Sequence, residues 1–276
     1  MSQLKIVGGA FADCVQSGRL WAVQIVGNVL LFLLFVGWLL IPVANNLHLI
    51  FNFLFVLVLL GLVLTLHAGT FNYFSDRQRS SIPPLWPSFR RALRHLLSIA
   101  VCIVLVYLLW LLVDKLETYQ VNFPPYVRST LPAFLRRHVT LHALDSCYVG
   151  ILFLARWVLA PGLLLPFILQ TADRGFRGFC LKGLVAWRET VCSSVYWLAL
   201  IAAALLGVLL TQKIMAWTPD FRTSTFHSES FSLAWRILVA YLLGLISWMF
   251  TISTAGRYGF QSDVAVSTDL PGNPVS

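Results

Sequence analysis

The chain has 276 residues, of which 58% are hydrophobic and 11% are charged, and its net charge is +9. Soluble domains carry roughly 25% charged residues because charge solvates their outer surface, so this composition excludes an ordinary soluble globule and indicates a surface that faces lipid. In such a protein the excess of Lys and Arg is typical of loops beside membrane spans, and no nucleic acid partner is expected.

Six apolar blocks follow one another along the chain. Residues 1–18 show only a poor helical stripe of apolar residues, and the block after them is too long for the core of a signal peptide. Each block is close to the ~20 residues that cross ~30 Å of hydrocarbon as a helix. The predicted spans cover residues 20–44, 47–68, 96–113, 148–171, 191–215 and 233–255. The predicted fold is therefore all-α, a polytopic membrane protein with six transmembrane helices.

Composition and basic residues divide the chain and orient it. We predict one transmembrane domain over residues 1–257 and a disordered cytoplasmic tail over 258–276, where polar residues, Pro and Gly accumulate. Twelve Lys and Arg residues fall on the side of the N-terminus and six on the other side, while Arg156 and Arg236 lie inside spans. Since cytoplasmic loops are enriched in Lys and Arg, the count predicts a multi-pass protein of the plasma (inner) membrane with both termini in the cytoplasm.

Two basic runs, before the third and fifth spans, are typical of amphipathic juxtamembrane helices in the headgroup layer. The first run places Phe89, Ala92, Leu93, Leu96 and Leu97 on one helical face, and the second places Phe176, Phe179, Cys180, Gly183, Leu184 and Trp187 on one face. The basic residues that we assign to the lipid surface are Arg90, Arg91, Arg94, Arg174, Arg177, Lys182 and Arg188. The expected partners are the lipid bilayer and its anionic headgroups on the cytoplasmic face.

Arg156 is the candidate polar or anion site, because it lies about two turns into the fourth predicted span. A charge at the centre of a span costs roughly 2.5–3.5 kcal/mol on insertion scales. Two destinations are open for its guanidinium. It can reach the outer headgroups, or it can face the bundle interior and bind carbonyls freed by Pro161, which cannot donate a hydrogen bond to Trp157. Pro161 and Pro166 are expected to kink or unwind this span.

Polar and small residues predict contacts between spans. Gln24 and Asn28 lie four apart on one face of the first span, where interhelical hydrogen bonds are the expected role. The pairs Ala203-xxx-Gly207 and Ala240-xxx-Gly244 form small-residue ridges, which let helices approach closely in lipid. We therefore expect the fifth and sixth spans to form a packed hairpin.

The sequence lacks the usual signatures of catalysis. It contains no phosphate-binding glycine loop, no GxSxG and no HExxH, and its acidic residues all fall outside the middle of the spans. His138 and His142 could share a helix face, but without further ligands they are typical of a solvated segment. We expect no enzyme activity, no cofactor and no metal.

The segment around Leu159-Ala160-Pro161, with the basic run and Trp187 after it, resembles a group of bacterial six-span proteins. These are related to the membrane domain attached to some glycerophosphodiester phosphodiesterases. The resemblance covers roughly residues 150–210. It implies a fold and a location in a bacterial inner membrane, and it depends on no catalytic residue.

Three functions are compatible with these features. The first is a non-enzymatic integral membrane protein that organises the membrane or binds an unidentified protein partner. The second is a small carrier or channel with an anion or headgroup site at Arg156. A membrane-embedded enzyme is third, because neither a nucleophile–base pair nor a metal-ligand set is present.

Overall fold

The structure is a computed structural model that describes residues 3–41, 45–78, 80, 82–177, 183–218 and 226–268. These ranges contain six helices that are long and apolar enough to cross a membrane, and no strand. The all-α fold with six transmembrane helices is confirmed, and the protein is a multi-pass membrane protein. The spans are Gly18–Leu39, Asn46–Arg77, Leu96–Glu117, Leu141–Arg174, Ser194–Ala216 and Ser228–Tyr258.

Short helices lie between and within the spans. The α-helices of the described residues are α1 (Gln3–Gln16), α2 (Gly18–Leu39), α3 (Asn46–Arg77), α4 (Leu85–Arg94), α5 (Leu96–Glu117), α6 (Phe123–Thr130), α7 (Ala133–Arg136), α8 (Leu141–Leu154), α9 (Ala160–Arg174), α10 (Gly183–Val191), α11 (Ser194–Ala204), α12 (Thr211–Ala216) and α13 (Phe226–Thr268). Helices α8 and α9 form the fourth span, and α11 and α12 form the fifth. As predicted, one juxtamembrane helix (α4) precedes the third span and another (α10) precedes the fifth.

The fourth and fifth spans each contain a π-helical turn, at Ala155–Leu159 and Leu205–Leu210. In the fourth span Pro161 explains it, because a proline ring crowds the carbonyl four residues earlier and removes one hydrogen bond. A wider turn before the proline relieves this crowding. The Ala160 N–H accordingly donates to Ala155 O, five residues back. The predicted break is thus a widened turn within a continuous span.

The core lies towards one end of the bundle. We call the end that carries α4 and α10 the basic end, and the end that carries α6 and α7 the opposite end. The buried residues of α3 lie between Leu64 and Phe74, and those of α2 are Leu20 and Gln24. In the most apolar 18 residues of each span, 11% are buried in the first and second spans and 39% in the fourth. The first two spans therefore leave most of their apolar surface uncovered.

The fifth and sixth spans pack closely, as the small residues predict. Ser247 Oγ donates to Ala203 O at 2.5 Å across this contact. A Cβ atom on Gly207 would overlap Ser247 Oγ, so the approach of the two helices at this point depends on glycine.

Helix α1 was not predicted. Its buried residues include Ile6, Ala10, Asp13 and Cys14, and it packs against α13, where Ser253 Oγ donates to Ala10 O at 3.0 Å. Ile6 is the only large aliphatic residue of these four, which is why the apolar stripe looked poor. Small residues instead bring the helix close to α13.

One boundary differs from the prediction. Helix α13 continues to Thr268, so residues 258–268 of the predicted disordered tail are helical; the next proline is Pro271, and residues 269–276 lie outside the described ranges. In the second basic run, residues 176–177 are helical and α10 covers Gly183–Val191, while residues 178–182 between them lie outside the described ranges. Helix α9 ends at Arg174, and Gly175 follows it with a φ of 65°, a left-handed conformation that favours glycine.

Candidate functional site

Arg156 pairs with two carboxylates of its own chain. Its Nη2 donates to Asp114 Oδ1 and lies 2.7 Å from Glu117 Oε2. These acids are three residues apart at the end of α5 and therefore share a helix face. The sequence left headgroups and backbone carbonyls as the two destinations, and the structure places the guanidinium with neither. An anion at Arg156 would have to compete with two negative charges.

Trp110 completes the surroundings of Arg156. The guanidinium carbon lies 5.6 Å from the centre of the Trp110 ring, a distance at which a cation is attracted to the ring face. Trp110 Nε1 also donates to Arg156 O at 3.2 Å, so this tryptophan contacts both the backbone and the side chain in the π-helical turn. The side chains of Asp114 and Glu117 are 50% and 51% exposed, which makes this cluster a contact at the edge of the bundle.

A second ionic cluster lies at the basic end and is centred on Asp13. Arg77 Nε and Arg257 Nε donate to its two carboxylate oxygens at 3.1 and 2.8 Å. Gln78 Nε2 donates to Asp13 Oδ2 at 3.1 Å. This single carboxylate therefore connects α1 with α3 and α13. Burial, together with the charge of Asp13, raises the pKa of the neighbouring Cys14 thiol to about 11.

Arg91 forms the adjacent cluster. Its Nη1 lies 3.1 Å from Asp76 Oδ1 and 2.6 Å from Asp173 Oδ1, and Ser88 Oγ donates to Asp76 Oδ2 at 2.7 Å. Burial lowers the pKa of Arg91, and the two carboxylates raise it by more, so that its pKa is raised overall. Arg91 therefore joins α4 to α3 and α9 instead of pointing to the lipid surface.

Most of the other basic residues predicted at the lipid surface are exposed. Arg90, Arg94, Arg177 and Arg188 are exposed. Arg174 is half-buried, with Nε 3.4 Å from Asp173 Oδ2. Lys182 lies outside the described residues.

The outward face of α4 combines apolar and basic side chains. Trp86, Leu93 and Leu97 are exposed beside Arg90 and Arg94. The sequence placed Phe89, Ala92, Leu93, Leu96 and Leu97 on one apolar face. In the structure Ala92 is buried with Ser88, and Phe89 packs against the core, whereas Leu93 and Leu97, the latter at the start of α5, are exposed. A face with tryptophan, leucine and arginine together is suited to the boundary between headgroups and hydrocarbon.

The predicted interhelical role of Gln24 and Asn28 is confirmed. Gln24 Nε2 donates to Thr70 Oγ1 of the second span, and Asn28 Nδ2 donates to Tyr241 Oη of the sixth span at 3.2 Å. Asn28 and Tyr241 line a cavity of about 600 Å³ between these three spans. The sequence did not predict this cavity, because its third wall comes from a span more than 200 residues away.

In the described part of the chain, no three His, Cys, Asp or Glu side chains lie close enough together to hold a metal ion. His138 lies in the turn after α7, and its Nδ1 is 2.9 Å from the backbone oxygen of Phe134.

The acidic partners of Arg156 were not predicted from the sequence. The sequence does contain an indication of them. Asp114 and Glu117 lie at the end of the third span, on the same side of the membrane as the start of the fourth span, which contains Arg156. Comparison of the chain with protein-family models, with curated proteins and with solved structures found no match, and the resemblance to the six-span group stays a prediction.

Proposed function

We propose that the protein is a non-enzymatic integral membrane protein that organises the membrane by binding a partner protein within the bilayer, with the first two spans as the binding surface. The observation that carries this proposal is the uneven packing of the bundle. The first two spans bury 11% of their most apolar stretch, whereas ionic clusters fix the helices at the basic end. A rigid base with an uncovered helical hairpin is suited to presenting that hairpin to another membrane helix.

Features of the hairpin support a protein partner over lipid alone. A groove of about 550 Å³ lies beside Trp38 and Asn52. Asn52 lines this groove, and a polar side chain in an apolar span can hydrogen-bond to a helix that packs beside it. Gly37 and Gly61 have no atom within 4 Å of the position of a Cβ, so a partner backbone has room to approach them closely.

The alternative of a carrier with an anion site at Arg156 is less well supported. Asp114 and Glu117 already neutralise the Arg156 guanidinium. An anion that displaced these two carboxylates would leave both of them without a cation. The absence of a catalytic motif in the sequence supports a non-enzymatic role, and the proposal assigns no cofactor.

We further propose that the basic end faces the cytoplasm of a plasma (inner) membrane, where Arg90 and Arg94 contact anionic headgroups. The excess of Lys and Arg at this end supports this orientation. Two exposed cysteines at opposite ends provide the test, Cys147 near the start of the fourth span and Cys192 after α10. In single-cysteine variants, a membrane-impermeant maleimide added to intact cells should label Cys147 and should reach Cys192 only after permeabilisation. The reverse pattern would invert the proposed orientation.

The binding surface can be tested by site-specific photo-crosslinking. Leu54 of the second span lines the groove beside Asn52, and Leu108 of the third span is a matched control; both are 54% exposed. A photoreactive amino acid at position 54 should give one discrete protein adduct, and at position 108 only lipid adducts. Asn52→Leu should weaken the adduct at position 54. Equal adduct patterns at the two positions would count against the proposal.

A further inference from the structure

A chain of hydrogen bonds connects the first, second and sixth spans. The donor and the acceptor of each bond can be assigned in turn, starting from Thr70 in the second span. The Thr70 hydroxyl donates to Leu66 O at 2.9 Å, so its oxygen is left to accept a bond from Gln24 Nε2. The Gln24 amide is thereby oriented with Oε1 towards Asn28, whose Nδ2 donates to it at 3.3 Å. The same Nδ2 donates its second hydrogen to Tyr241 Oη at 3.2 Å.

This order leaves two groups unused at the end of the chain. Asn28 Oδ1 is an acceptor and the Tyr241 hydroxyl hydrogen is a donor, and neither bonds to any described residue. Asn28 Oδ1 is not enclosed by protein. Within a bilayer, polar groups without partners cost free energy because water is not present to replace the partner. The two groups together match a ligand group that both donates and accepts.

Both groups belong to residues that line the cavity of about 600 Å³. This volume is in the range of roughly 300–1,000 Å³ that holds small ligands. The rest of the wall is mainly apolar and aromatic, with Phe32, Leu245 and Trp248 among its residues. His67 also lines it, but no Asp, Glu, Lys or Arg does. Asn28 is ten residues from the start of α2, which places it roughly 15 Å along the first span from that end at 1.5 Å per residue.

We propose that this cavity binds a neutral lipid alcohol, a molecule with one free hydroxyl on a long apolar chain. The hydroxyl oxygen accepts from Tyr241 and its hydrogen donates to Asn28 Oδ1, while the chain lies against Phe32 and Leu245. A phosphate, carboxylate or ammonium headgroup would be desolvated here without a countercharge, which disfavours it. This site goes beyond the proposed function, because it lies between the first, second and sixth spans and does not depend on a protein partner.

The test uses the full-length protein in a mild detergent and titration with radiolabelled 1-hexadecanol. We expect saturable binding of one molecule per chain, and no saturable binding of hexadecane or palmitate. Tyr241→Phe removes the donor and should weaken binding about 2- to 12-fold, the loss expected for one hydrogen bond. Tyr107→Phe changes an exposed tyrosine of the third span and should leave the affinity unchanged.

A second variant places a bulky side chain in the cavity. Gly244 lines the cavity, and a Cβ there would meet no atom within 4 Å. Gly244→Leu should therefore weaken hexadecanol binding, while the protein unfolds at a temperature no lower than that of the wild type. The matched control is Gly150→Leu, because Gly150 is equally free of neighbours and lies in the fourth span.

Three outcomes would overturn the proposal. One is saturable binding of hexadecane with the same affinity as hexadecanol, which would make the cavity a purely apolar groove. The second is hexadecanol binding that is as tight in Gly244→Leu as in Gly150→Leu. The third is no saturable binding to the wild-type protein.

Discussion

Replacement of Asp13 by alanine is the most direct test of how α1 is held. The side chains of Asp13 and Arg77 are each 11% exposed, and that of Arg257 is 27% exposed. Removing one partner of a buried ion pair costs about 3–5 kcal/mol, whereas an exposed pair contributes about 0–1 kcal/mol. Arg77 keeps a bond to Gln16 Oε1 at 3.1 Å, so we expect Asp13→Ala to lower the free energy of unfolding by about 3 kcal/mol, the lower end of the buried range.

The assay is reversible unfolding in detergent micelles, with the free energy of unfolding compared between variants. Arg90→Ala is the control, because Arg90 is exposed on α4 and a surface substitution usually changes stability by less than about 0.5 kcal/mol. Hydrogen exchange of α1 should rise in Asp13→Ala and stay unchanged in Arg90→Ala. A loss in Asp13→Ala no larger than that of the control would refute the reasoning, since α1 would then not depend on this carboxylate.

Three further predictions concern single sites. Because its pKa is raised to about 11, Cys14 should react with iodoacetamide at pH 8 about 100-fold more slowly in the folded than in the unfolded protein, while exposed Cys192 reacts promptly in both. Arg156→Gln should cost about 1 kcal/mol in the same unfolding assay, because its partners are half-exposed; a loss above about 3 kcal/mol would contradict this. Gly207→Ala should cost about 1–3 kcal/mol through overlap with the sixth span, and equal stability of Gly207→Ala and Gly150→Ala would contradict it.

The spans and the interhelical role of Gln24 could be predicted from the sequence for one physical reason. A helix that crosses lipid must be apolar over about 20 residues, so length and composition alone reveal it. Within such a helix, a buried amide such as Gln24 needs a partner on another helix, because no water is available. Both inferences depend on the surroundings that lipid imposes, and neither requires knowledge of which helices are neighbours.

Helix α1 and the partners of Arg156 could not be predicted in this way, because each depends on distant parts of the chain. Asp13 pairs with Arg257, 244 positions later, and no local pattern encodes that contact. The partners of Arg156 are 39 and 42 positions earlier. Pairing the charges by their depth in adjacent spans could have found them, but only after the spans had been assigned.

Arg91 illustrates how one residue can serve in two ways. The predicted orientation counts it among the basic residues of the cytoplasmic side, and that count uses Lys and Arg themselves and not the net charge. In the folded bundle the same guanidinium lies between Asp76 and Asp173. A basic residue near a membrane surface can therefore enter the count that predicts topology without binding headgroups itself; the proposed headgroup contacts use Arg90 and Arg94, which are exposed on the same helix. Acidic residues on adjacent helices decide between these two roles, and they are visible only in the packed structure.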